Sequence, residues 1–298
     1  MASVLEQFSE GLAGVVESAG RNLVQVEARR RMPATGVIFS ADGVIVTSHH
    51  VVERDDNIKV GLPNGETVSA KLVGRDPSTD LAILKVDASG LNAANWSDPG
   101  SLKVGHIVLA LGRPGDKPLA TLGIVSALDE GWRTSAGGKI DTYLQTDVVM
   151  YPGFSGGSLV DVSGNHLGIN TSAMSRGTSI TIPSPTIRRV AETLLKHGQV
   201  RRGYFGVGTQ PVRLSSSVAG QIGQEAGLLL VSVEAGSPAE IGGLMIGDIL
   251  TQVNNQLVYQ VDALLALLAD DLIGQSIPVK IVRGGQVQSV NVTVGERK

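Results

Sequence analysis

The sequence has 298 residues, of which 42% are hydrophobic and 18% are charged, which is typical of a folded protein long enough for two domains. A net charge of −3 provides no basic surface for nucleic acid, and no apolar run is long enough for a membrane span. The chain has no cysteine, which excludes a disulfide framework and a thiolate metal site.

The N-terminal segment has apolar residues at helical spacing: Leu5, Phe8, Leu12, Val15 and Val16. This spacing predicts a short amphipathic helix that packs on its own domain or on a partner subunit. Glu6 and Glu10 stand where a signal peptide needs a basic start and an unbroken apolar run. We therefore expect a cytoplasmic protein, although the absence of cysteine fits the cytosol and the cell envelope equally.

Short β-like runs dominate the chain from residue 22 to about residue 181. The 38 glycines, set against four Phe, four Tyr and two Trp, favour β-rich architecture with many tight turns. The predicted strands are 23–27, 36–39, 44–47, 58–62, 67–73, 81–86, 106–111, 123–126 and 167–170. Turn signals such as Asp42-Gly43 separate them. Many short strands without intervening helices predict barrels or a sandwich.

One clear helix ends this region. Ser184 is suited to cap it, Pro185 to occupy its first position, and Gly198 to stop it. We place a domain boundary after this helix, which gives a first domain of residues 1–200 and a second of residues 201–298. The second has strand-like runs at 228–233, 277–282 and 287–292 and a helical stretch at 262–269, which predicts a small α+β domain.

The most distinctive motif is the stretch 152–158, in which glycines surround Ser155. Glycines allow backbone amides to approach a substrate, as an oxyanion hole beside a nucleophilic serine requires. The same string is also ordinary turn chemistry. A base and an orienting acid elsewhere in the chain decide between these interpretations.

Two adjacent histidines, His49 and His50, end the strand 44–47, where a side chain can reach a cleft. Adjacent residues at a strand end point in different directions, so at most one is the base. Asp80 opens the apolar strand 81–86 and is placed for partial burial, whereas Asp76 before a proline is a turn residue. The other histidines, His106, His166 and His197, are interpreted as structural. The order of His, Asp and Ser is one of several that give a catalytic triad.

The runs 46–52, 76–84 and 145–157 resemble the HtrA (Deg) serine proteases. The resemblance implies a mainly β protein with a chymotrypsin-like double β-barrel. It also implies a serine endopeptidase that cleaves unfolded or damaged proteins through an acyl-enzyme, without a metal or organic cofactor.

By position, the resemblance makes His50 the general base, Asp80 its orienting acid and Ser155 the nucleophile. The backbone amides of Gly153 and Ser155 are the implied oxyanion hole.

Two positions depart from the family pattern, since Phe154 replaces the usual Asn and Ser158 replaces the usual Pro. An oxyanion hole consists of main-chain donors, so Phe154 removes no catalytic group but can change the resting conformation of the loop. The alternative is a catalytically idle protease fold that acts as a chaperone or peptide-binding adaptor.

The stretch 170–178 resembles the specificity loop of the family, which makes Met150, Met174 and Thr178 candidate residues of the S1 pocket. An apolar pocket of this kind suits a small or medium aliphatic P1 residue. The alternative is that both methionines fill gaps in the core.

The second domain resembles PDZ domains at two segments, residues 203–207 and 236–250. The first resembles the carboxylate-binding loop and implies Tyr204, Phe205, Gly206 and Val207 as peptide-binding residues. Successive amides there can form a nest for a C-terminal carboxylate, with the peptide adding as a strand beside the helix 262–269. The alternative is that the glycines only permit a turn.

The resemblance also bears on partners and location. It implies polypeptides with exposed hydrophobic C-termini as partners and a homotrimer formed through the N-terminal region. Most members of the family act in the bacterial envelope, so the periplasm is the alternative to the cytoplasmic location.

Overall fold

The computed structural model describes residues 3–134, 136–174, 177–268 and 272–296. The chain divides into two compact units, Met1–Val200 and Arg201–Lys298. Among the described residues, no helix combines the length and apolar character that crossing a membrane requires.

The first unit begins with helix α1 (Val4–Gly20), which Ser3 and Glu6 cap reciprocally. Leu12, Val15 and Val16 pack against the core of this unit. Val4, Leu5 and Phe8 remain exposed. The predicted helix is therefore present, and only its C-terminal half packs on its own unit.

Two closed antiparallel barrels follow, as the resemblance implied. The first consists of β1 (Leu23–Glu27), β2 (Ala34–Ser40), β3 (Val44–Ser48), β4 (Ile58–Gly61), β5 (Thr67–Asp76) and β6 (Leu81–Val86). Its strand order is β1-β2-β3-β6-β5-β4. The second consists of β7 (Ile107–Gly112), β8 (Leu119–Arg133), β9 (Lys139–Thr146), β10 (Ser158–Asp161), β11 (His166–Thr171) and β12 (Ser179–Pro183). Its order is β10-β11-β12-β9-β8-β7.

Helix α2 (Ser184–His197) follows the second barrel. It buries Ile187, Val190 and Leu194, which lie on one face at helical spacing, in a core that both barrels share. Gly198 ends the helix in the left-handed conformation, with a φ of 74°. Ser184 does not cap the helix as predicted, because its hydroxyl donates instead to the Ser97 carbonyl at 2.8 Å.

The second unit is the predicted small α+β domain. Its elements are β13 (Gly203–Tyr204), β14 (Val207–Arg213), α3 (Ser216–Ile222), β15 (Ala226–Val233), α4 (Pro238–Ile241), β16 (Ile249–Val253), β17 (Gln256–Leu257), α5 (Val261–Leu267), β18 (Ser276–Arg283), β19 (Gln286–Thr293) and β20 (Gly295–Glu296). The main sheet has the order β14-β15-β16-β18-β19, so β14 is an edge strand. Ala269, the predicted end of the helix now observed as α5, lies outside the described residues.

Candidate active site

His50 and Asp80 form a close pair at one end of the first barrel. His50 lies in a single 3-10 turn (His49–Val51) directly after β3, and pairing of β3 with β6 sets Ser48 opposite Leu81. The Nδ1 atom of His50 lies 2.8 Å from Oδ2 of Asp80, and the His50 amide donates to Oδ1 at 2.9 Å. Because the carboxylate accepts, the Nδ1 atom carries the proton and the Nε2 atom is left as the basic nitrogen.

Asp80 is buried and adopts a φ of 54°, which is unusual for a residue other than glycine. The hydroxyl of Thr171 donates to its Oδ2 atom at 2.5 Å. Burial favours the protonated form, but the hydrogen bonds from His50 and Thr171 outweigh it and lower the pKa of the Asp80 carboxyl. The carboxylate is therefore ionised and fixed in place beside the imidazole.

The side chain of His49, the other candidate base, makes no hydrogen bond to the Asp80 carboxylate among the described residues. Its Nδ1 atom is buried and has no hydrogen-bond partner among the described residues. Burial, followed by the charge of Arg75, lowers the pKa of the His49 imidazole. The geometry thus distinguishes the two histidines, since His50 alone is oriented by the carboxylate of Asp80.

Ser155 lies on the segment between β9 and β10, and residues 152–157 are called the oxyanion loop below. Its Oγ atom is 3.1 Å from the Oγ atom of Ser172, which follows β11. Within the described part of the chain, no hydrogen bond joins Ser155 to His50. The structure therefore brings His50 and Asp80 together as a pair, while the hydroxyl of Ser155 has Ser172 as its partner.

The backbone of the oxyanion loop requires glycine at two positions. Gly153 and Gly156 have φ values of 90° and 82°. A Cβ atom at position 156 would lie 2.1 Å from the Thr35 carbonyl oxygen, so this position also requires close backbone approach. The amides of Gly153 and Ser155 have no acceptor among the described residues. An oxyanion hole requires such unpartnered amides, and the assignment of these two to one stays a prediction.

The side chain of Phe154 is fully buried and belongs to the core of the second barrel. Its ring meets that of Tyr151 edge-on, with a centroid distance of 5.8 Å. Gly112 makes room for it, because a Cβ atom there would lie 2.6 Å from the ring. Phe154 thus anchors the oxyanion loop to the barrel by apolar packing.

The three candidate S1 residues do not form one cluster. Met150 packs against the second-barrel core around Phe154, whereas Met174 packs against the core shared by both barrels. Thr178 is half-buried, and the predicted specificity loop includes Ser175 and Arg176, which lie outside the described residues. The core-filling interpretation of the methionines fits these contacts, and the S1 assignment stays a prediction.

The predicted carboxylate-binding loop lies between β13 and β14. Tyr204 belongs to β13, and its hydroxyl donates to the carboxylate of Glu234. Phe205 is buried in the core of this unit, and Gly206 has a φ of 81° and accepts a hydrogen bond from the Glu234 amide at 2.9 Å. Val207 begins the edge strand β14, beside which α5 packs. The free edge of β14 and helix α5 border the expected peptide groove.

Sequence reasoning did not identify three residues that contact this site, namely Thr35, Thr171 and Ser172. Thr35 is fully buried in β2 and contacts the oxyanion loop. Thr171 and Ser172 lie in the stretch 170–178 that resembles the specificity loop, but nothing local marks their contacts with the site, since Thr171 is 91 residues from Asp80. No motif covers Thr35.

Comparison with protein families gives two matches. Residues 34–169 match the trypsin-like peptidase domain, and residues 229–283 match the PDZ domain. The predicted combination of a trypsin-like protease fold with a PDZ domain is therefore confirmed.

Two curated relatives of this chain are named serine endoproteases. The chain is 38% identical over 275 residues to a probable periplasmic serine endoprotease DegP-like from Halomonas elongata, an alignment that covers 90% of this chain and 57% of that relative. A protein with the same name from Chlamydia trachomatis is 35% identical over 274 residues, covering 90% of this chain and 55% of the relative. The chain thus spans little more than half the length of these relatives.

Two solved protease structures match this chain over almost the whole length of both chains. The HtrA-type protease AlgW with a decapeptide is 30% identical, with a TM-score of 0.79, and the match covers 96% of this chain and 98% of that one. The serine endoprotease from Yersinia pestis is 33% identical, with the same TM-score and the same coverage.

The expected cytoplasmic location is wrong. The relatives are named periplasmic endoproteases, which points to the periplasm. The expectation relied on Glu6 and Glu10, and both lie in helix α1, where Glu6 takes part in the capping box.

Proposed function

The chain belongs to the HtrA (Deg) family of serine endoproteases, and on this premise we propose that it hydrolyses peptide bonds of unfolded or damaged proteins through an acyl-enzyme. The observation that carries the proposal is the pairing of His50 with a buried, ionised Asp80 close to a loop that presents two unpartnered amides around Ser155. This combination supplies the parts of a serine hydrolase.

In the proposed mechanism, Ser155 exchanges its hydrogen bond with Ser172 for one to the Nε2 atom of His50. The Ser155 oxygen then attacks the scissile carbonyl while His50 takes its proton, and Asp80 stabilises the resulting imidazolium. The amides of Gly153 and Ser155 bind the oxyanion. His50 returns the proton to the leaving amine, and a water molecule hydrolyses the acyl-enzyme by the same steps.

We further propose that the second unit binds polypeptides by their hydrophobic C-termini. The left-handed Gly206, the free edge of β14 and the neighbouring helix α5 support binding by strand addition. AlgW structures were determined with a decapeptide and with a tripeptide. The S1 role of Met150, Met174 and Thr178, the homotrimer and the periplasmic location are part of the same proposal.

The catalytically idle chaperone or adaptor is not favoured, because Phe154 packs inside the second barrel and leaves the loop amides unpartnered. The decisive experiment is cleavage of unfolded casein by the full chain beside a Ser155→Ala variant, in the presence of a peptide with a hydrophobic C-terminus that saturates the second unit. We expect cleavage by the wild type alone. Equal digestion by both proteins, or none by either, would contradict the endopeptidase.

A further inference from the structure

Thr35 connects the first barrel to the oxyanion loop through two hydrogen bonds. Its hydroxyl donates to the carbonyl oxygen of Gly153 at 2.7 Å, and its amide donates to the carbonyl oxygen of Ser155 at 3.2 Å. The same hydroxyl accepts from the amide of Arg113 at 2.7 Å, and Thr47 donates to the Thr35 carbonyl at 2.7 Å. A buried side chain with both its donor and its acceptor used has one orientation.

Together with hydrogen bonds to Tyr151, Gly157 and Asn170, these contacts fix three successive peptide groups of the loop. In the peptide that joins residues 153 and 154, the carbonyl binds Thr35 and the amide of Phe154 donates to Tyr151 at 3.0 Å. The next carbonyl, that of Phe154, accepts from Gly157 at 2.8 Å. In the third peptide, the Ser155 carbonyl binds Thr35 and the Gly156 amide donates to Asn170 at 3.0 Å. Because a peptide group is planar, fixing its carbonyl also fixes its amide.

The two unpartnered amides depend on this arrangement. The amide of Ser155 lies in the same peptide group as the Phe154 carbonyl, which accepts from Gly157. The amide of Gly153 lies in the peptide group next to the one whose carbonyl binds Thr35. Glycine rotates about φ and ψ at little steric cost, so nothing in Gly153 itself prevents its peptide groups from turning. Phe154 anchors the loop by its side chain but does not determine which way the Gly153 carbonyl points.

We propose that Thr35 is a positioning residue for the oxyanion hole. Its hydroxyl holds the Gly153 carbonyl away from the substrate side, and its amide holds the Ser155 carbonyl, so that the amides of Gly153 and Ser155 stay free for the oxyanion. This inference rests on the proposed endopeptidase function. It assigns to β2 of the first barrel a part in a reaction whose nucleophile lies in the second.

Loss of the hydroxyl leaves the buried Gly153 carbonyl without this donor, and such a group turns to find another partner. A turn of this kind redirects the amides of the loop. Removing one oxyanion-hole donor lowers kcat by about 10²–10³-fold in serine proteases. We therefore expect Thr35→Val, which keeps the side-chain volume, to lower kcat on casein by about 10²-fold while KM changes by less than about 3-fold.

The test compares full-chain wild type, Thr35→Val and Thr35→Ser with a matched control, Thr186→Val. Thr186 is a buried threonine on α2. Its hydroxyl accepts a hydrogen bond from the Asp141 amide at 2.9 Å and donates one to the Asp141 carboxylate at 2.8 Å. We expect Thr35→Ser to stay within about 3-fold of wild type. We expect Thr186→Val to keep its kcat although it loses as many hydrogen bonds.

Three results would overturn the inference: wild-type kcat in Thr35→Val, an equal loss in Thr35→Ser, or an equal loss in Thr186→Val. If Thr35→Val does not fold, Thr35→Ala replaces it, since Ala and Ser differ only by the hydroxyl group, and equal kcat in those two variants also overturns it. Ser155→Ala separates the two proposals. If the wild type and Ser155→Ala both cleave casein, or if neither does, the proposed endopeptidase is refuted and the inference falls with it.

Discussion

At the scale of single residues, His166 is a titratable group whose side chain is removed from water. It is fully buried, and burial lowers its pKa to about 4. The side-chain Nδ2 atom of Asn22 donates to two backbone carbonyls. This orients the side-chain Oδ1 atom of Asn22 towards the Nε2 atom of His166, 3.0 Å away. The Nε2 atom therefore carries the proton, and the Nδ1 atom accepts from Ser158 at 2.7 Å. Ser158, which replaces the usual Pro of the family, thus has a structural partner.

This network predicts a loss of stability in mild acid. The pKa of His166 is about 4 in the folded chain and about 6.5 in an unfolded chain. The neutral, buried imidazole therefore contributes its full share to the free energy of unfolding above pH 6.5, and this contribution is lost as the pH falls to about 4. The two values correspond to a loss of about 3 kcal/mol in the free energy of unfolding over this interval. Denaturant unfolding followed by tryptophan fluorescence measures it, because both tryptophans, Trp96 and Trp132, lie in the first unit.

The matched control is His166→Gln, which retains hydrogen-bonding groups but does not titrate. Other ionisable groups change equally in both proteins, so the difference between their pH profiles isolates His166. We expect the variant to be less stable at pH 7 and to show a shallower decline towards pH 4. Parallel profiles would show that His166 does not titrate in this range.

At the scale of elements, local signals predicted what local chemistry determines. The Asp42-Gly43 signal marks a turn in which Gly43 has a φ of 98°, and the predicted stop at Gly198 is the observed end of helix α2. The strand predicted at 167–170 begins one residue earlier, at His166, and the side chain of His166 is fully buried. Its burial depends on Asn22, which is 144 residues away, and no local pattern carries that information.

The edge strand β14 leads to a prediction about the second unit. An edge strand leaves one row of backbone groups unpaired, and a peptide that adds there protects them from exchange with solvent. We expect a peptide with a hydrophobic C-terminus to slow hydrogen exchange of amides in β14. The interior strand β16, which pairs with β15 and β18, should not change. Mass spectrometry of the full chain measures both strands in one experiment.

The same peptide with an amidated C-terminus is the control, because it lacks the carboxylate that the loop at Gly206 is proposed to bind. We expect little protection of β14 by this control. Protection as strong as that by the free acid would refute the carboxylate nest, and no protection by either peptide would refute strand addition at β14.

At the scale of the whole molecule, the family motifs predicted the two barrels and the pairing of His50 with Asp80, but not how the barrels cooperate. The contact between Thr35 and Gly153 joins residues 118 positions apart, one in β2 of the first barrel and the other in the loop before β10 of the second. The motif around Ser155 shows only that glycines are present. Which amides remain free depends on the partners of the loop carbonyls, Thr35 in the first barrel and Gly157 in the loop itself, and these become visible only in the folded structure.

Helix α1 provides the last prediction, which concerns assembly. Val4, Leu5 and Phe8 are 81%, 78% and 45% exposed, although Leu12, Val15 and Val16 of the same helix pack on the core. Burying such a side chain contributes about 1.5–3 kcal/mol, so a contact repeated in three chains provides a substantial driving force. We expect the wild type to sediment at three times the mass of one chain, and Leu5→Glu with Phe8→Glu to sediment as a monomer. Val162→Glu, at an apolar residue 51% exposed in a turn, is the matched control and should leave the trimer intact. A monomeric wild type, or a trimer that survives the double substitution, would show that α1 does not form the subunit contact.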